Sequence, residues 1–518
     1  MRRMKGAAGL LTALLLAFQL SAQTFALANE DNGIKVVPVN FTHNGYSYEI
    51  EGVTKSTDGD YQMKSPARLA ARKLPSTYDP RSSGEITTVK DQASTGACWA
   101  FSALACAEQD LIKKGLENPS TEFSVPALVL SSNSGTATGK DDFSSGGNWL
   151  FAASALANGQ GLCYEDYEPF LESGTGNMIV SENKKSVSEY RLNYVMELSS
   201  TTQVKRKIME LGAVSASYFA GNGYMNHNNT AYYDPDASKN TIINHSVTVV
   251  GWDDNYSKDN FRYKPANNGA WLVKGSWGAD QDNDGFYWVS YDEAEFGQFC
   301  CYDFEESCDN TYHYSKMTGY VVNASNDGSV YGANVFTAKA DEKLDKAGFM
   351  YVGKTGSADY TLSVYTDVSD SDPIGVLETQ ISGSVSANGF YTVDFPEDIL
   401  LEEGEKYSIS VKFSGDSGRG YLLAESDRTS KAQSGQSYIS LNGKYWSDVG
   451  ADKTDSIGSL FIYAYTDDTA KPDKSSLESA LAKYGTLAGC EREANNARTV
   501  LALSLIHISE PTRRTPIS

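Results

Sequence analysis

The sequence predicts an α+β chain: a region mixing helix and strand, then an antiparallel β-sandwich, then a short helical fragment. Three observations predict this. In Gln92–Gly115, QASTGACWAFSALACAEQDLIKKG, the apolar residues Phe101, Leu104, Ala105, Leu111 and Ile112 recur at helical steps after Gly96. In NHSVTVVGWDD, Val247, Val249 and Trp252, with Thr248 and Val250 between them, read as a buried strand. Beyond about residue 310 the texture changes to short alternating runs at regular intervals, separated by Gly, Ser, Asp and Asn.

The helix has marked ends. Lys113 and Lys114 occupy the last turn and Gly115 follows as a stop signal. Cys98 therefore falls at or just before the N-terminus, where free backbone N–H groups and the positive end of the helix dipole favour a thiolate. The strand-like runs of the second part are Gly348–Val352, Tyr360–Tyr365, Phe390–Phe395, Tyr407–Phe413, Tyr438–Leu441 and Leu460–Tyr465. Leu477, Ala480, Leu481 and Tyr484, and a second pattern near Glu491–Leu501, return to helical spacing after a linker at Lys471–Asp473.

With 518 residues the chain is long enough for two or three domains. Its 66 acidic against 44 basic residues give a net charge of -22, which argues against nucleic-acid binding and against docking on anionic lipid. Residues 1–28 read as a secretory signal: Arg2, Arg3 and Lys5, an apolar Leu10 to Leu20, then Ala26-Leu27-Ala28. No later stretch is long and apolar enough for a membrane span, so the expected location is secreted or cell-surface. Seven Cys suit one reactive thiol and up to three bridges; the cluster Cys300, Cys301 and Cys308 permits a short closed loop without fixing any pairing.

Gly-Ala-Cys-Trp around Cys98 matches the local signature of a papain-like nucleophile. LPSTYDPRSSGEITTVKDQ before it is similar to the start of a mature papain-like enzyme, and WAFSA after it to the family's central helix. The region thus resembles the papain-like cysteine peptidases. That resemblance implies two lobes, a helical one carrying Cys98 and a β-barrel-like one, with a peptide-binding cleft between them. It implies catalytic roles for Cys98 as nucleophile, His245 as general base and acid, and Gln92 as an oxyanion donor six residues before the Cys. His245 opens the buried strand, and 245 − 98 = 147 lies within the family's Cys-to-His separation. Its rival His227 stands in an Asn-rich, loop-like stretch.

Substrate binding is expected at Gly146 and Gly147, where the family pairs a peptide backbone-to-backbone, and at Trp277, which shields the His. One departure stands out: the family's Asn-Ser-Trp-Gly is here Gly275-Ser276-Trp277-Gly278, leaving the imidazole-orienting position without a side chain. A water or a neighbouring Asn could fill it. The resemblance predicts no cofactor and no metal. Asp280-Gln-Asp282-Asn-Asp284-Gly285 fits half a calcium loop, but the twelfth position is Tyr291 rather than Glu.

The expected organisation is a signal peptide at 1–28, a weakly patterned pro-segment at 29–73, a peptidase domain at 74–309 and a β-sandwich at 310–467. A partial helical surface module at 468–503 and a non-native tail at 504–518 complete it. The sandwich resembles the lectin-like domain of some bacterial secreted papain-like proteins. It is either a ligand-binding module, with cell-surface glycans as partners, or a plain structural one. The expected function is a secreted cysteine endopeptidase acting on proteins or peptides. The alternatives are a peptidase fold retained as a weak or inactive surface adhesin, and a cell-wall amidase.

Overall fold

The structure, a computed structural model, describes the strands at 34–38, 42–43 and 46–47, and residues 73–469 apart from 133–142, 144–145, 160–161, 167–169, 171–188, 222, 238–242, 280–281, 317, 325–327, 370, 417–419, 427–431 and 452–456. The signal peptide, most of the pro-segment, the helical module and the tail lie outside the described residues, as do Cys490 and Asp280 of the half calcium loop.

Helix α1 (Cys98–Lys113) is the axis of the first region. Its first residues are Ala and Ser between large side chains, so neighbouring elements approach closely. Ser102 Oγ donates to the Val247 carbonyl at 2.7 Å, and the Asp110 carboxylate accepts the Phe304 N–H at 2.7 Å. Ala97, the cap, provides no side-chain acceptor, so the Cys98 and Trp99 N–H groups are left uncapped beside the thiol, while the Ala100 N–H bonds the Ala97 carbonyl. The predicted stop is observed: Gly115 takes φ 71°, in the left-handed region, and its N–H reaches Ile112 O.

Three shorter helices complete the helical side. These are α2 (Val125–Ser132), α3 (Trp149–Ala157), capped by the Asn148 side chain, and α4 (Thr201–Leu211), which opens with a Ser200–Gln203 capping box.

Against α1 lies a sheet built from β1 (Tyr190–Leu198), β2 (Val214–Tyr218), β3 (His245–Asp253), β4 (Ala270–Lys274), β5 (Phe286–Ser290) and β6 (Gly297–Glu306). They run side by side in the order β1-β6-β2-β3-β4-β5. Val214, Val247, Val249, Trp252, Leu272 and Val273 are all buried, which stabilises the sheet by about 1.5–3 kcal/mol for each large apolar side chain.

The same sheet does not stop at the end of this region. Beside β1 comes Gly389–Leu401, registered Phe390 to Val195, then Glu342–Tyr351, Ile462–Asp468 and Asn310–Tyr312, giving twelve strands in one sheet. A six-stranded sheet carrying Ala358–Thr366, Lys406–Ser414 and Val330–Thr337 packs over this far end, with Phe349, Tyr351 and Phe413 in aromatic contact. The predicted runs coincide with observed strands, except that Val352 and Leu441 fall just past their strand ends and Phe461 interrupts Leu460–Tyr465. Val330–Thr337 and Val376–Val385 were not legible: one is buried on both faces and broken by Gly332 and Asn334, and the other is a largely exposed edge.

Two expectations change. The stretch 29–73 was read without regular structure, yet Ile34–Pro38 forms a strand paired antiparallel to Thr318–Ala324. Its partner lies almost three hundred residues away, and local patterning carries no trace of that. The six described cysteines are free thiols; Cys300 and Cys301 alternate along β6 and are both buried, so the permitted loop with Cys308 does not close.

Candidate active site

Cys98 is the first residue of α1 and is 9% exposed. Burial pushes its thiol above the ordinary 9.0, while the backbone N–H groups of Ser246, Trp99 and Cys98 and the Ser246 hydroxyl pull it back. The helix-tip donors expected from the sequence are therefore in place, but on their own they do not overcome desolvation. Sequence reasoning missed Ser246. It directly follows His245, and its backbone N–H and hydroxyl favour the thiolate form of Cys98.

His245 is 5% exposed, and burial lowers its pKa from 6.5 to about 4. Trp277 lies flat on the imidazole, with ring centroids 4.3 Å apart and planes 6° apart, and is itself 40% exposed. The indole thus forms the solvent-side cover of the ring. Tyr218, the cross-strand partner of His245, presents its ring edge from the other side at 5.8 Å. Within the described residues His245 Nε2 is buried and has no hydrogen-bond partner.

Gln92 is fixed from two directions. Ser276 Oγ donates to its Oε1 at 2.6 Å, and its Nε2 donates to the Thr95 carbonyl at 2.8 Å. Its backbone N–H also reaches Ser276 O at 2.7 Å, so the loop before α1 is tied to the loop after β4. An amide has two N–H donors, and one remains. Ser276 was missed as an anchor; only its place between Gly275 and Trp277 could have singled it out.

Gly146 has φ 72° with open space beside its Cα. Gly147 needs to be glycine for a reason unlike the expected one: a Cβ there would sit 2.5 Å from the Trp99 indole. At Gly275 a Cβ would meet Gly285 O at 3.1 Å and Tyr287 Cε1 at 3.4 Å. Asn244, the nearest Asn in sequence to His245, spends its amide on the Ala220 backbone, accepting from its N–H at 2.7 Å. His227 is exposed, and His313 lies in the sandwich against Ser315 O.

A buried ionic cluster underlies this arrangement. Glu108 of α1 accepts from Thr87 Oγ1 at 2.7 Å and the Phe123 N–H at 3.1 Å, with Lys90 at 3.2 Å and Lys274 at 3.8 Å. Burial alone would raise its pKa, but Lys90, Lys274 and these donors outweigh it and hold the carboxyl below 4.5. Lys274 immediately precedes Gly275, so the cluster pins β4 to α1. Among the described residues no group of His, Cys, Asp and Glu is placed to hold a metal ion, and no helix is long and apolar enough to cross a membrane.

A nucleophile-type Cys at a helix tip, a His at the head of the facing strand and a clamped amide beside them are the parts of an acyl-transfer site. In comparison with known proteins, residues 74–326 match the papain family of cysteine proteases, and residues 311–466 match the lectin-like domain. The chain carries a papain-family cysteine protease domain joined to a lectin-like domain. It is 29% identical to bovine cathepsin S over 218 residues, covering 42% of this chain and 60% of that protein. It is 26% identical to human cathepsin L2 over 224 residues, covering 42% and 62%. The chain thus spans less than two thirds of the length of these curated relatives.

More of it is matched by the cysteine protease and lectin-like domains of Cwp84, a surface layer associated protein of Clostridium difficile. That structure gives a TM-score of 0.69 at 25% identity, covering 85% of this chain and 99% of the other. Cwp84 after propeptide cleavage gives 0.66 at 28% identity, covering 76% and 99%.

Proposed function

We propose that the protein is a secreted or surface-held cysteine endopeptidase. The Cys98 sulfur gives its proton to His245 and attacks the carbonyl carbon of a peptide bond. The oxyanion that forms lies between the Cys98 backbone N–H and the free N–H of Gln92. His245 then protonates the leaving amine, and water, deprotonated by the same imidazole, releases the acid and restores the thiol. Buried one at a time, both groups favour their neutral forms; each charge offsets the other's desolvation only when the two form together.

The observation that supports this most is geometric: Cys98 opens α1, and Ser102, one turn further on, bonds the Val247 carbonyl close behind His245. Gly146 and Gly147 are the proposed floor for an extended peptide, and Trp277 its wall. For the lectin-like domain we favour cell-surface glycans as ligand, since Tyr445, 81% exposed beside Trp446, offers an aromatic platform.

The test is hydrolysis of a fluorogenic peptide library by wild type and by Cys98→Ala. Loss of all turnover above background in the variant is expected, a drop of about 10⁶-fold where the wild type is efficient. Equal rates would leave a binding protein or a different hydrolase.

A further inference from the structure

The vacancy at Gly275 has a structural counterpart on the strands around it. Tyr218 pairs with His245, Val249 with Val273, and Val273 with Tyr287, and side chains alternate along each strand. Tyr218, His245, Gly275 and Tyr287 therefore share one face of β2, β3, β4 and β5. The Tyr218 and Tyr287 hydroxyls meet at 2.8 Å, and both side chains are buried. Tyr218 packs edge-on against the imidazole, while the Tyr287 ring passes the place where a Cβ at position 275 would stand. A Cβ there would press on the Gly285 carbonyl at 3.1 Å and reach ordinary contact with the Tyr287 ring at 3.4 Å. The Gly285 carbonyl and the Tyr287 ring together occupy the space beside Gly275.

The hydroxyl pair also has bonding capacity to spare. One O–H is used between the two tyrosines, which leaves a second O–H and further lone pairs. Nearby, His245 Nε2 is buried and unpartnered among the described residues. If the other ring nitrogen faces the sulfur, Nε2 carries a proton that needs an acceptor. We propose that the Tyr218–Tyr287 hydroxyl pair takes over the orienting duty of the missing Asn, accepting the His245 Nε2–H through one bridging water. The tyrosines are positioning residues: they act on His245 and do not touch the peptide. Burial is the main reason Tyr287 keeps its proton, and Cys98 adds to it, so the hydroxyl remains a neutral acceptor throughout.

This inference rests on the peptidase reading, and its test separates the two. Tyr287→Phe keeps the ring and removes the oxygen. It should lower kcat about tenfold with KM unchanged, and move the pH midpoint of Cys98 alkylation by iodoacetamide upward. Tyr218→Phe is the second variant and should act in the same direction.

Gly275→Asn alone should gain nothing. Combined with Tyr287→Val, which clears the ring, it should recover most of the activity lost in Tyr287→Val. Hydrolysis indifferent to Tyr287→Phe and Tyr218→Phe, or no recovery in the double variant, overturns the proposal. A wild type that shows the alkylation shift but cleaves no peptide would instead sink the peptidase reading and leave the hydroxyl pair standing.

Discussion

β3 and β4 present two dry faces to their surroundings. Toward α1, Thr248 and Lys274 meet Ser102, Glu108 and Thr87, and the charge is matched within a few ångströms by Lys90 and Lys274 on a single carboxylate. Toward the opposite side stand His245, Val247 and Val249, with one imidazole whose inner nitrogen has no partner among the described residues. The first face uses its buried polar groups to fix where α1 lies against the sheet. The second keeps a titratable group under-satisfied. What the difference teaches is local: around Glu108 the buried polar groups are paired, whereas His245 keeps a buried nitrogen without a partner among the described residues.

That contrast can be broken from the scaffold side. Glu108→Gln should leave Lys274 buried without its counter-charge and Lys90 with only Glu165 at 4.0 Å. The expected loss is about 3–5 kcal/mol in the denaturant stability of the peptidase region. A loss under about 1 kcal/mol would show that the network is not what holds α1 to β4. Its stabilisation should also depend on pH with a definite sign. Glu108 titrates below its ordinary 4.5 in the fold, so the contribution is complete above that value and is lost as the pH falls through the folded pKa.

The site side is sharpened by Gln92. If its free N–H faces the oxyanion, Gln92→Ala should reduce kcat by about 10²–10³-fold with little change in stability. Parallel losses of kcat and folding would instead mark Gln92 as a structural tie between the loops, like its partner Ser276. Smaller again is the tenfold effect expected at Tyr287, which separates an under-satisfied imidazole from one held by hydroxyls.

Much of this was legible in the sequence. Cys98, its helix and the stop at Gly115 could be read because capping and helical spacing are local, and His245 because a strand of β-branched residues starts there. What escaped depends on register between distant strands. Nothing near Tyr218 or Tyr287 announces that their hydroxyls meet, or that Gly275 leaves room for a ring. The twelve-stranded sheet escaped for the same reason: Phe390 and Val195 each look like ordinary strand residues until they are paired. The helix-tip argument for Cys98 was right about the donors and silent on burial, which acts against them.

The central claim is that Cys98 and His245 share one proton, and thiol reactivity measures it without reference to any substrate. Iodoacetamide alkylation of Cys98 should be followed from about pH 4 to 9 in the wild type and in His245→Ala. Reaction well below the ordinary thiol range in the wild type is expected, with the midpoint in His245→Ala moving to 9.0 or above as burial takes over. Superimposable profiles in the two proteins would contradict the account.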